Sequence, residues 1–129
     1  MSGGFDPVHV GHQRMFKAAR ELGNYLVVIL NSDRFLMEKK GYVFMPYEER
    51  AELLCGFQAV DEVMRCIDDD QTVCETLRAL KPTTFANGGD RKADNIPEYA
   101  VCQELGIEMV FNVGGEKVQS SSELVAKAK

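Results

Sequence analysis

The chain has 129 residues, of which 45% are apolar, and a formal net charge of −5 from 15 Lys and Arg against 20 Asp and Glu. Its length suits one domain over residues 1–129, since domains commonly run to roughly 100–150 residues, and its apolar content excludes a disordered chain. The acidic balance excludes a nucleic-acid partner bound by overall charge, and the longest apolar run, Tyr25–Leu30, is far short of the roughly 20 residues that span a membrane.

The elements follow in order. A glycine loop that leads into a helix should follow a first strand; only Met1 and Ser2 precede Gly3, so this strand is expected to be short or truncated. No basic-then-apolar stretch opens the chain, so no signal peptide is expected. Val10–Leu22 carries Met15, Phe16, Ala19 and Leu22 at helical spacing, and Gly23 stops it. Tyr25–Leu30 is a continuous apolar run, the mark of a strand buried on both faces. A loop is expected over Asn31–Tyr47. Pro46–Phe57 opens a helix with a first-turn proline and sets Ala51, Leu54 and Cys55 on one face. Asp61–Ile67 is a weaker strand, Val73–Leu80 a helix, Thr83–Ala86 a strand, Ile96–Leu105 a helix closed by Gly106, Ile107–Phe111 a strand and Ser120–Ala128 a last helix. The alternation means an α/β fold with a parallel sheet. Four cysteines, at 55, 66, 74 and 102, include no CxxC pair, so reduced and buried thiols and a cytoplasmic compartment are expected in place of a zinc site.

Parallel sheets bind ligands beyond the C-terminal ends of their strands, where strand order reverses. That points to the loops Gly3–Gly11, Asn31–Tyr47, Asn87–Ile96 and Asn112–Ser122. The first reads Gly3-Gly4-Phe5-Asp6-Pro7-Val8-His9-Val10-Gly11-His12. Its histidines are three apart and share one helix face at the expected helix N-terminus, where open N–H groups and the macrodipole favour anions. Gly11 allows close approach of a ligand to the backbone. Two imidazoles there can donate to phosphate oxygens and stabilise charge built up during phosphoryl transfer. A His-x-x-His metal pair is the rival reading; it lacks an evident third ligand, and a helix N-terminus repels cations.

This loop resembles the signature of the HxGH cytidylyltransferase-like nucleotidyltransferases. The resemblance continues in register through Asn31-Ser32-Asp33, Lys39-Lys40, Pro46-Tyr47-Glu48-Glu49-Arg50, Ala59-Val60-Asp61-Glu62-Val63, Gly88-Gly89-Asp90 and Ser120-Ser121-Ser122. Adenylyltransferase domains of bacterial heptose-phosphate enzymes are the most similar in wording, and glycerol-3-phosphate cytidylyltransferases come second. The resemblance implies a Rossmann-like three-layer α/β/α fold with a five-stranded parallel sheet. It implies transfer of a nucleoside monophosphate from a nucleoside triphosphate to a phosphorylated small molecule, with release of pyrophosphate, Mg²⁺ bound with the triphosphate, no metal site on the chain, no membrane partner, and a homodimer.

By the same resemblance His9, His12 and Lys39 are the catalytic candidates. Gly4, Phe5, Asp6, Gly11, Lys40, Arg50, Gly88, Gly89, Asp90, Ser120, Ser121 and Ser122 are the nucleotide-binding ones. Without it, Lys39-Lys40 reads as a solvated loop pair, Arg50 as a surface arginine beside Glu48 or Glu49, Gly88-Gly89 as a turn and the serines as a helix cap. Gly115–Gln119 lacks the Arg-Thr pair typical of cytidylyltransferases, which favours adenylyl over cytidylyl transfer, and Asn87 stands where heptose enzymes tend to have lysine. A module that binds nucleotide without catalysis is the alternative from another class.

Overall fold

The computed structural model describes residues 1–88 and 96–114. Gly89, Asp90, Ser120, Ser121, Ser122 and the expected last helix lie outside the described residues. In chain order the elements are β1 (Ser2–Gly3), α1 (Val10–Arg20), β2 (Val27–Leu30), α2 (Asp33–Lys40), α3 (Tyr47–Cys55), β3 (Glu62–Arg65), α4 (Cys74–Leu80), β4 (Thr84–Ala86), α5 (Glu98–Leu105) and β5 (Glu108–Val110).

All strand pairs are parallel. β1, β2 and β3 form one ladder, with Ser2 opposite Ile29 and Val28 opposite Val63, and β4 pairs β5, with Phe85 opposite Met109. The five expected strands are therefore present, but the ladder is interrupted between β1 and β4, because β1 has only two residues. Side chains alternate across a strand, and the two cores show that alternation running through both ladders. Val28, Leu30 and Ala86 face Phe16 and Ala19 of α1 and Leu54 of α3. Ile29 and Phe85 face Leu77 of α4 and Val101 and Cys102 of α5. This is the expected three-layer α/β/α arrangement. Each fully buried Leu, Phe or Ile in it contributes roughly 1.5–3 kcal/mol of transfer free energy.

The chain winds from β1 out to β3 in one direction and then through β4 to β5 in the other. The reversal lies between β1 and β4, so the loops after these two strands flank the crevice where such sheets bind ligands.

The stretch 31–47 departs from the expected loop, for it contains α2. Ser32 caps that helix by accepting from the Phe35 N–H at 3.1 Å, and Gly41 ends it with φ 82° in the left-handed region. Only Phe35 and Leu36 are buried in it, too few to make a periodic pattern. Cys55 is another departure: it is exposed at the end of α3, whereas Cys66 and Cys102 are buried as expected, and all four thiols are free. Helix ends fall one or two residues inside the expected bounds, as at Arg20 and Cys55.

The loop 41–46 is held by a carboxylate. Asp6, fully buried, accepts from the Phe44 N–H at 2.7 Å and the Met45 N–H at 2.6 Å. Asp6→Asn keeps the shape but offers an amide that can accept at one position only, leaving an N–H facing an N–H. The expected cost is roughly 1–3 kcal/mol, read as a lower melting temperature; an unchanged melt would remove Asp6 from this role.

Candidate active site

His9 is the N-cap of α1, with extended backbone angles of −144° and 178°. Its Nδ1 accepts from the Gly11 N–H at 3.1 Å, and His12 Nδ1 accepts from the His9 N–H at 3.2 Å. The arrangement is a capping box in which both partners are imidazoles. It fixes the tautomer: each Nδ1 must be unprotonated to accept, so each ring carries its proton on Nε2. The two rings stack with centroids 3.8 Å apart and an interplanar angle of 20°. Phe5, buried and at a positive φ of 50°, sets its ring edge-on to His12 at 4.8 Å and also touches Phe16. The strained loop residue and the helix core thus hold the His12 ring from behind.

The sequence reading put an anion on open N–H groups at this helix terminus. The structure differs in detail. The Gly11 N–H is taken by His9 Nδ1 and the His12 N–H by the His9 carbonyl at 3.0 Å. Backbone donors are consumed inside the cap, and donor capacity is presented through imidazole Nε2 atoms, while the helix dipole is retained. The metal-pair reading gains no support from a ring pair that is stacked and tied by Nδ1. Among the described residues no three His, Cys, Asp or Glu side chains converge to hold a metal ion.

Lys39 and Lys40 lie in the last turn of α2, not in a loop. Both line a small cavity of about 110 Å³ at the C-terminal ends of β1 and β2, with Gly4, Asn31, Gln71 and Glu98 among its walls. The Lys39 ammonium also lies 5.8 Å from the centre of the Phe35 ring. Gly4 faces this cavity, while the next residue, Phe5, packs on His12, so the glycine turn divides the histidine pair from the lysine pair. Gly4 has no room for a side chain: a Cβ there would lie 2.6 Å from Leu36 Cδ2. Asn31 and Glu98 are functional candidates that sequence reasoning missed. Asn31 is 6% exposed, and its Oδ1 has no hydrogen-bond partner among the described residues. A polar residue directly after an all-apolar strand was the available signal.

Arg50 is neither a surface arginine nor exposed to the crevice. It is fully buried. Its Nε donates to the Met45 carbonyl at 2.9 Å, its Nη1 to the Gly4 and Asn31 carbonyls, both at 2.8 Å, and its Nη2 to Asp33 Oδ1 at 2.6 Å. The guanidinium ties the glycine turn, the end of β2 and the loop before α3 together beneath the site. Asp6, with its carboxylate on Phe44 and Met45, belongs to the same framework. Gly88, after β4, comes against α1, where a Cβ would stand 3.1 Å from Met15 Sδ. The structure therefore gathers Gly4, Phe5, His9, Gly11, His12, Lys39, Lys40 and Gly88 at the C-terminal edge of the strands, with Asp6 and Arg50 under them.

Comparison with known proteins agrees with this geometry. The model of the cytidylyltransferase-like family matches residues 1–124. The bifunctional protein HldE of Koribacter versatilis is 39% identical over 116 residues, which are 88% of this chain and 22% of that protein. HldE of Sulfurimonas denitrificans is 35% identical over 131 residues, 99% of this chain and 26% of its own length. The chain thus spans about a quarter of the length of these relatives. The crystal structure of the lipopolysaccharide core biosynthesis protein from Thermoplasma volcanium matches with a TM-score of 0.76 at 25% identity, over 92% of this chain and 94% of that one. With the loop motif, the parallel α/β fold and these matches in accord, the chain belongs to the cytidylyltransferase-like family of nucleotidyltransferases.

Proposed function

We propose that this domain transfers an adenylyl group from ATP to the phosphate of a sugar phosphate of the heptose 1-phosphate type, releasing pyrophosphate. A phosphate oxygen of the acceptor forms the new bond to the α-phosphorus. The bond from that phosphorus to the α,β-bridging oxygen breaks, and its electron pair leaves with pyrophosphate. No covalent intermediate on the chain is required, so the work of the protein is positioning and charge stabilisation.

The observation that carries this reading is the imidazole capping box. It holds two Nε2–H donors in fixed tautomers at a helix N-terminus, and preorganised donors of this kind are most effective where charge develops in the transition state. His9 and His12 then bind the triphosphate. Lys39 and Lys40 neutralise the acceptor phosphate and the charge that shifts toward pyrophosphate, a task suited to a flexible point charge. The orphan Asn31 Oδ1 supplies an acceptor for a sugar hydroxyl. Gly88, Gly89 and Asp90 border the nucleoside, and Ser120, Ser121 and Ser122 hold the β- and γ-phosphates. Mg²⁺ commonly binds through substrate phosphates and water in place of an all-protein cage. The described residues bring no such cage together, which fits an ion that enters on the triphosphate and neutralises its charge there.

Two HldE relatives and the lipopolysaccharide core biosynthesis protein support a sugar-phosphate acceptor. The missing Arg-Thr pair before Ser120 supports ATP over CTP. The test is thermal denaturation with Mg²⁺ and ATP, CTP, GTP or UTP in turn. A nucleotide at 100 times its dissociation constant stabilises by about 2.7 kcal/mol, so ATP is expected to raise the melting temperature and the others to do so less. A rise with CTP alone would transfer the reading to a polyol-phosphate cytidylyltransferase. No rise with any nucleotide would overturn the phosphate cradle.

A further inference from the structure

The largest cavity described, about 350 Å³, lies at the end of the strands away from the histidines and is lined on one side by Met1, Val27 and Ile29 and on the other by Thr84, Phe85 and Ala86. It is the gap in the ladder between β2 and β4. The hydrogen-bond register defines what the gap can hold. Met1 bonds β2 on both sides of one residue: its amine donates to the Val27 carbonyl at 3.1 Å, and its carbonyl accepts from the Ile29 N–H at 2.8 Å. One step further back along β2, the Val27 N–H faces the same gap and has no partner among the described residues. Opposite it, Thr83 and Asn87 bond β5, through Glu108 N–H to Thr83 O at 3.0 Å and Asn87 N–H to Val110 O at 2.8 Å. That alternation turns the Thr84 N–H and carbonyl away from β5 and into the gap. Two strand edges of one parallel sheet therefore face each other with one strand missing between them.

The walls specify the side chains. Ala19 and Leu22 of the first helical segment close one face, and Leu77 and Leu80 of α4 close the other. Leu22 is still 44% exposed, an apolar side chain at the mouth with nothing over it among the described residues. We propose that this slot takes one more extended segment, about three residues and ~10 Å long, apolar on both faces, which runs parallel to β2 and leads directly into Met1. The carbonyl two residues ahead of Met1 accepts from the Val27 N–H, and the other edge of the segment pairs with Thr84. The β1 strand is then extended, and the two ladders become one five-stranded sheet. The buried Met1 amine agrees with this: burial lowers it to about 5, whereas a peptide N–H in its place makes the same bond to Val27 without an ionisable group.

The experiment places a tripeptide ahead of Met1 in three variants: Val-Ile-Val, Gly-Ser-Gly and Val-Pro-Val. All three remove the terminal amine from its buried place, so they differ only in strand formation. The proline variant keeps the apolar surface but lacks one N–H and disrupts the ladder. Val-Ile-Val is expected to melt at least about 5 °C above the other two and to slow amide exchange at Val27 and Thr84. Equal melting temperatures for the three variants, or unchanged exchange at Val27 and Thr84, would overturn the proposal. Both readouts are independent of nucleotide chemistry.

Discussion

Replacing His12 with alanine is expected to lower turnover by roughly 10²- to 10⁴-fold, the range for removal of a preorganised donor or proton-carrying group at a reacting centre. The effect should fall mainly on kcat, because the Nε2–H of His12 is most useful when charge builds on the triphosphate. The fold should survive. The ring is only half-buried, and the loss is one hydrogen bond from the His9 N–H and the edge contact with Phe5, together about 1 kcal/mol for a cap of this kind. His9→Asn is a second variant that separates cap from chemistry. Asparagine is a preferred N-cap, so helix stability is retained, while the imidazole Nε2–H is lost. Steady-state kinetics beside a thermal melt read both effects. Turnover within a few-fold of the parent in both variants would remove the imidazole pair from the mechanism.

Arg50→Ala is expected to be the most destabilising single change near the site. It strips donors from the carbonyls of Gly4, Asn31 and Met45 and leaves a cavity beneath the glycine turn. Buried acceptors left unsatisfied cost roughly 1–3 kcal/mol each where water does not reach them, and removing a fully buried charged group from its network commonly costs about 3–5 kcal/mol. A fall in melting temperature of roughly 10–20 °C follows for a domain of this size. Arg50→Lys should recover only part, since one ammonium cannot span a fork aimed at three carbonyls and a carboxylate. The Asp33 carboxylate is half-exposed, so its ion pair with Arg50 adds little beside the carbonyl bonds. A melt within two or three degrees of the parent, on the same scale, would show that the framework beneath the site does not depend on this residue.

These two residues also show what the sequence carries and what it does not. β2 and α1 were legible because burial writes itself as a period: Val28, Ile29 and Leu30 form an apolar run buried from both faces, and Phe16 and Ala19 recur on one helix stripe. The histidine pair was legible as chemistry because its spacing places both rings on one face at a helix start. The capping box was not, for nothing in the letters reveals that each Nδ1 is committed to a backbone N–H. Arg50 read as either a surface residue or a ligand-facing one. A fully buried guanidinium satisfied by carbonyls from three distant segments is a tertiary fact, spread over Gly4, Asn31, Asp33 and Met45. α2 was missed for the opposite reason: its eight residues are mostly charged, and their helix rests on local signals, the Ser32 cap and the Gly41 stop. Asp6 was assigned to the nucleotide by its place in the motif, whereas its carboxylate is buried against the backbone of the 41–46 loop.

Pyrophosphate release is the most direct test of the central claim. The protein would be incubated with Mg²⁺ and ATP, with and without a heptose 1-phosphate, and in parallel with CTP and glycerol 3-phosphate. The account predicts release that requires ATP and the sugar phosphate together, and that falls by at least about 10²-fold in the His12→Ala variant. Release with neither pair, from protein whose melting temperature ATP raises, would contradict catalysis and leave a domain that binds nucleotide without transferring it.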